Sequence, residues 1–113
     1  MTDQRADLAA RVRAALPGDR VVREVAMFGG LSFMLDDRMV VSVGRDGGLL
    51  VRVDPGRSTE LLSVPGARPA VMGAGRPMGA GWIMVTASAV TTDQQLDDWI
   101  EVALRHHRSQ TAS

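Results

Sequence analysis

Apolar residues follow two different periods along this chain, and the change between them divides it into elements. From Asp3 to Leu16 the apolar positions Leu8, Val12, Ala15 and Leu16 fall at i, i+4, i+7 and i+8. That spacing places them on one face of a helix, with Arg5, Arg11 and Arg13 largely off the stripe. Thr2 or Asp3 can cap its start, and Pro17-Gly18 stops it. From Val21 the period becomes two. Val21, Val25 and Met27 share a side with Arg23, and Leu31, Phe33 and Leu35 alternate with Ser32, Met34 and Asp36. Met39, Val41 and Val43 then alternate with Val40, Ser42 and Gly44, and Leu49, Val51 and Val53 with Leu50, Arg52 and Asp54. Asp36-Asp37-Arg38 and Arg45-Asp46-Gly47-Gly48 are short turn segments, so these runs predict an antiparallel β-meander.

Asp54-Pro55-Gly56 breaks the sheet, and Arg57 to Ser63 has room for one or two helical turns before Pro65-Gly66. The glycine-rich segment 66–81, which also holds Pro69 and Pro77, predicts irregular chain with a brief strand at Ala70 to Met72. A clearer strand, WIMVTAS, runs from Trp82 to Ser88. Thr92 followed by Gln95 fits a capping box, and Leu96, Trp99, Ile100, Ala103 and Leu104 trace the apolar face of a C-terminal helix. The polar end, 108–113, reads as a flexible tail.

Strands grouped between helices indicate α+β, with an antiparallel sheet of about five or six strands and N-terminal, middle and C-terminal helices. One face of the sheet is expected to pack on the helices. The other is expected to carry Met34, Val40, Leu50 and Ile83 beside Arg52, more apolar than a solvated face requires, so loops or a partner must cover it.

Composition narrows the function. At 113 residues, 45% hydrophobic and 23% charged, the chain reads as a single domain over 1–113 with its own core. Thirteen basic and thirteen acidic residues give a net charge of zero, which disfavours general binding to nucleic acid by counterion release. Every basic residue is Arg, which suits planar recognition of carboxylates or phosphates, but codon bias in a GC-rich genome explains it better. The lack of cysteine removes disulfides, thiolate metal sites and cysteine nucleophiles. The amphipathic N-terminus has no apolar signal-peptide core, and no apolar run reaches membrane-spanning length, so a cytoplasmic, non-membrane protein is expected.

Candidate chemistry is sparse. MFGG at 27–30 and GAGRPMGAG at 73–81 both miss the dinucleotide and P-loop spacings, and the chain has no Lys for the latter. These glycines read instead as turns or bulges. His106 and His107 are adjacent on a helix, so they diverge, and favourable cations at a helix C-terminus describe them better than metal ligands do. Asp36-Asp37 and Asp97-Asp98 read as solvated charge in a turn and on a helix surface. The internal methionines, Trp82 and Trp99 read as core residues. No catalytic residue, cofactor site or metal site is assigned.

Met27-Phe28-Gly29-Gly30, the alternating LSFMLDDRMVVSV, GLLVRVD, and Gly75-Arg76-Pro77-Met78 with Trp82 resemble the N-terminal domain of the TfoX/Sxy family. The likeness runs from about Ala6 to His107. It implies an antiparallel sheet with flanking helices, similar to type III secretion chaperones. It also implies a regulatory role, since full-length members control natural competence with the cyclic-AMP receptor protein and carry a further helical C-terminal domain, without which this protein is expected to stand alone. Met27, Phe28, Gly29, Gly30, Arg76, Pro77, Met78 and Trp82 match the family motif, and the resemblance gives them no catalytic role. The reading that follows is a non-enzymatic regulator or adaptor acting on another protein, linked to transcription or competence, with a homodimer as one form. The alternatives are a nucleic-acid- or nucleotide-binding protein, or a small enzyme such as an RNA methyltransferase.

Overall fold

A computed structural model describes residues 4–16, 22–27, 30–44, 46–72 and 75–111. Helix α1 (Gln4–Ala15) precedes β1 (Val22–Met27), β2 (Gly30–Leu35), β3 (Arg38–Val43) and β4 (Leu49–Arg52). A 3-10 turn at Pro55–Arg57 and the short α2 (Ser58–Leu61) lead to β5 (Ala67–Pro69), β6 (Val71–Met72), β7 (Arg76–Pro77) and β8 (Trp82–Val85). A second 3-10 turn, Ala87–Ala89, then introduces α3 (Asp93–Thr111). The main sheet has six strands in the order β1-β2-β3-β4-β8-β5, all neighbours antiparallel, while β6 and β7 form a separate ribbon. The fold is therefore α+β, with the meander and the three helices that the periodicity predicts.

Strand β5 is the element the composition conceals. Ala67–Pro69 lies in a stretch of glycine and proline, yet it pairs with β8 and completes the sheet. It can hold Pro69 because an edge strand has one side without ladder bonds, where a missing N–H costs nothing. The ribbon likewise replaces the brief strand expected at 70–72 with a pair, Val71 opposite Pro77 and Met72 opposite Arg76.

One sheet face carries the core. Phe33, Leu35, Val41, Val43, Leu49, Val51, Ile83 and Val85 are all wholly buried. They cluster with Leu8, Val12 and Leu16 of the N-terminal segment and with Leu96, Trp99, Ile100, Ala103 and Leu104 of α3. Burying each large aliphatic or aromatic side chain is worth about 1.5–3 kcal/mol. Polar pins fix the helix positions. Arg13 on α1 forks onto Glu24 of β1, Nε to Oε2 at 2.5 Å and Nη2 to Oε1 at 2.6 Å, and Arg11 Nη1 donates to the Val90 carbonyl at 2.8 Å. At the start of α3, Gln95 N donates to Thr92 Oγ1 at 3.1 Å and Thr92 N to Gln95 Oε1 at 3.0 Å, which is the expected capping box. The helix continues past residue 108 to Thr111, where Arg108 donates to Glu101 and Arg38 to Gln110.

The expected outer face needs two corrections. Ile83 pairs with Val51 and points into the core, because β8 begins at Trp82 and alternates from there. Val40 is buried as well. A bulge shifts the β2–β3 register between Phe33 and Met34, so Phe33 pairs with Val41 but Met34 pairs with Met39. The extra residue reverses the alternation on β3 and brings Met39 to the outer face in place of Val40.

Candidate interaction face

The second sheet face lies opposite the helix layer, and alternation along the strands, reset at the β3 bulge, determines which residues it presents. Across its middle run Val25, Ser32, Ser42, Leu50, Met84 and Arg68, each opposite the next in the sheet register. A second line holds Arg23, Met34 and Met39 on one side and Arg52 opposite Trp82 on the other. Val25, Met34, Met39, Leu50, Trp82 and Met84 are half-buried, a state intermediate between core and open surface. Among the residues whose burial is described, Met34, Met39, Met78 and Met84 all lie outside the core, and so does Trp82, whereas Trp99 is a core residue as expected. The bias of methionine to this face is therefore a property that composition alone could not locate.

Polar groups on the face are few and specifically placed. The Arg52 guanidinium carbon lies 5.9 Å from the centre of the Trp82 ring, within cation–π range. Ser32 is fully buried and donates to Ser42 Oγ at 3.1 Å, which in turn donates to the Leu31 carbonyl at 3.4 Å. Two hydroxyls facing each other across β2 and β3 thus satisfy one another without water.

The motif residues do not converge. Met27 and Gly30 are the last pair of the β1–β2 ladder, and Phe28 and Gly29 lie outside the described residues. A Cβ on Gly30 would sit 2.4 Å from the Val43 carbonyl oxygen, so the close approach of β3 requires glycine there. Arg76 and Pro77 are exposed on the ribbon, and Met78 N donates to the Ala70 carbonyl at 2.9 Å to close it. Trp82 stands on β8, three strands from β2, or roughly 14 Å at the usual strand spacing. The motif marks separate points of the fold rather than one reaction centre.

Asp36, Asp37, Asp97 and Asp98 are exposed, as their reading as solvated charge expects, whereas the histidines differ from theirs as cations at a helix end. His107 is buried, and its Nε2 lies 2.8 Å from Oδ2 of Asp36 in the β2–β3 turn. Burial pushes the His106 imidazole below its ordinary pKa; Arg52 and His107 add to this and Asp54 opposes it. Neutral His106 is therefore favoured, and the expected cation at the helix end is not what this residue supplies. Among the described residues no group of three or more His, Cys, Asp or Glu could hold a metal, and no helix is long and apolar enough to cross a membrane. Concave space is shallow, such as the groove of about 250 Å³ between α2 and α3 lined by Leu61, Val64, Pro65, Ala89, Trp99 and Val102.

The domain is thus α+β, with helices on one sheet face and a half-buried second face that carries Met34, Met39 and Met84. The chain belongs to the TfoX N-terminal domain family, whose model matches residues 18–107. No curated protein matches the sequence.

Proposed function

We propose that the protein is a non-enzymatic regulatory adaptor that holds another protein against the second face of its sheet. The observation that carries this reading is the row of half-buried apolar side chains, Met34, Met39, Leu50, Trp82 and Met84, opposite the helix layer. Methionine suits such a role because its unbranched, polarisable side chain repacks around different partners at little cost. Family membership agrees: the TfoX N-terminal domain is not a known enzyme family, and it is consistent with a regulatory or competence-related role. We extend the reading to control of transcription or competence, in the cytoplasm, through a protein partner.

Site-specific photo-crosslinking in the source cell tests it. A crosslinking residue at Leu50 or Met84 is expected to trap one defined protein, whereas the same residue at Glu101, on the exposed side of α3, traps none. Equal or absent adducts at all three positions would overturn the adaptor reading. The enzymatic alternative has a separate readout. S-adenosylmethionine and nucleotides are expected to leave Tm unchanged, and a shift of several degrees would replace the adaptor with a ligand-binding enzyme.

A further inference from the structure

The chain is electrically neutral, but its sheet is not. The six strands of the main sheet contain four arginines, Arg23, Arg38, Arg52 and Arg68, and one carboxylate, Glu24. Glu24 turns to the helix side, where Arg13 holds it, and Arg38 turns the same way to Gln110. The second face therefore presents Arg23, Arg52 and Arg68 from its strands and no acid. The balancing charge lies elsewhere: Asp93, Asp97, Asp98 and Glu101 are all exposed on the first half of α3. Net charge of zero hides a cationic, apolar sheet face and a cluster of acids at the start of α3, two of them paired, Asp93 with Arg11 and Glu101 with Arg108.

Arg23 has a partner in Asp37 of the β2–β3 turn, at 3.4 Å. Arg52 and Arg68 have no ion pair among the described residues. They stand on the strands flanking β8, Arg52 opposite Trp82 and Arg68 opposite Met84. Strand spacing and rise put their Cα atoms roughly 12 Å apart on the diagonal, with Trp82 and Met84 between them and Leu50 two residues from Arg52 on the same strand. On a helix, positions seven apart share a face and are separated by about 10.5 Å.

We infer that the partner docks an acidic amphipathic segment on this face: apolar side chains over Leu50, Trp82 and Met84, and two carboxylates spaced to meet Arg52 and Arg68. This inference rests on the adaptor reading and specifies the chemistry of its partner. Guanidinium groups suit carboxylates because both are planar and pair through two hydrogen bonds, and the rim of an interface is where such pairs select partners. Nucleic acid fits less well. Binding along a phosphate backbone needs several basic groups in line, and stacking of bases needs open aromatic faces. Here a single Trp already has Arg52 over it, and methionine and leucine fill the rest.

Selection from a displayed library of random twelve-residue peptides against the intact protein, counter-selected on R52E/R68E, tests the inference. Expected winners combine Asp or Glu with Leu, Met, Phe or Trp. A synthetic winner measured by fluorescence anisotropy should lose at least tenfold in affinity on R52E/R68E and weaken as salt is raised from 50 to 300 mM, values set as test conditions around the Debye screening range. The R52Q and R68Q variants, with far-ultraviolet circular dichroism as a fold control, are expected to lose about threefold to tenfold each. A basic or uncharged consensus, or no enrichment, overturns the inference; crosslinks from Met84 would then still stand for an adaptor with other partner chemistry. Tighter binding of a single-stranded 20-mer oligonucleotide through the same arginines overturns it in favour of nucleic acid. A concentration-dependent dimer that R52E/R68E dissociates overturns it in favour of a second copy.

Discussion

His107 and Asp36 join the last turns of α3 to the tip of the β2–β3 hairpin, 71 residues apart in sequence and 2.8 Å apart in space. With an ionised carboxylate as acceptor, the imidazole Nε2–H donates. His107 is 3% exposed, so truncating it to alanine removes the bond and opens space at a buried site. His107→Ala is expected to lower stability by about 2–3 kcal/mol, which combines the lost hydrogen bond with lost packing. Urea denaturation followed by circular dichroism reads this as a lower midpoint at unchanged slope. Asp36→Asn should cost less than Asp36→Ala, because Asp36 has a φ of 51° and Asn tolerates that left-handed backbone.

The same hairpin offers a change in the opposite direction. Asp36 and Asp37 both have positive φ, 51° and 63°, as a two-residue type I′ turn requires. Glycine is preferred at the second position. Asp37→Gly gives up only an exposed ion pair with Arg23 and removes backbone strain, so stability is expected to rise by a few tenths to about 1 kcal/mol. A lower midpoint than wild type would show that the Arg23–Asp37 pair outweighs the turn.

Three glycines separate two reasons for being glycine. A Cβ on Gly30 would lie 2.4 Å from the Val43 carbonyl oxygen, and one on Gly66 would lie 2.3 Å from the Ala89 Cβ at a φ of 86°. Neither neighbour is the end of a flexible side chain. Gly75 has a φ of 74° but open space around its Cβ position. Alanine at Gly30 or Gly66 is therefore expected to cost about 2–3 kcal/mol or prevent folding, and alanine at Gly75 only about 1–2 kcal/mol of backbone strain. Similar losses at all three, measured by thermal melts, would mean that crowding is not what selects glycine at Gly30.

Much of this arrangement could be read from the residues alone because the signals were local. The i, i+4, i+7, i+8 spacing of Leu8, Val12, Ala15 and Leu16, the alternation of Leu31, Phe33 and Leu35, and the Thr92–Gln95 cap each depend on neighbours within a turn or two. What was hidden depended on register between distant segments. The Val40 bulge exists only relative to β2, and it exchanges Val40 for Met39 on the outer face. Pairing of β5 with β8 is a tertiary event that overrides the poor strand propensity of Ala-Arg-Pro. The Asp36–His107 bond joins two residues that each looked like ordinary surface charge. MFGG named a family, but the reason for Gly30 lies on β3, at Val43.

Acid should weaken the fold partly through His106. Its folded pKa is held below the ordinary 6.5, first by burial and then by Arg52. Above pH 6.5 the imidazole is neutral in both states and has no effect. Below it the unfolded chain takes up a proton more readily than the folded one, so stability falls as pH drops from 6.5 toward the depressed folded value, then levels. Glu24 acts in a lower window: Arg13 holds its carboxyl below the ordinary 4.5, so its stabilisation is present above that pH and is lost on further acidification. His106→Gln is expected to flatten the pH dependence of the urea midpoint just below pH 6.5 while leaving the fall below pH 4.5. An unchanged slope in the upper window would assign it to groups other than His106.

Adjacent residues on β8 test the orientation of the sheet on which the adaptor reading depends. Ile83 is wholly buried opposite Val51, whereas Met84 is half-buried opposite Leu50 and Arg68 on the other face. Ile83→Ala opens a cavity among packed core side chains and is expected to cost about 2–5 kcal/mol. Met84→Ala removes a comparable number of atoms, but from a surface that already touches solvent, so its cost should stay below about 1 kcal/mol. Met84→Asp should leave the fold intact as well while abolishing partner crosslinking from Leu50, since it places an acid where the face has none. Stability costs of equal size at Ile83 and Met84 would mean that both sheet faces are packed in solution, by a second copy or by another part of the protein, and that the second face is unavailable to an outside partner.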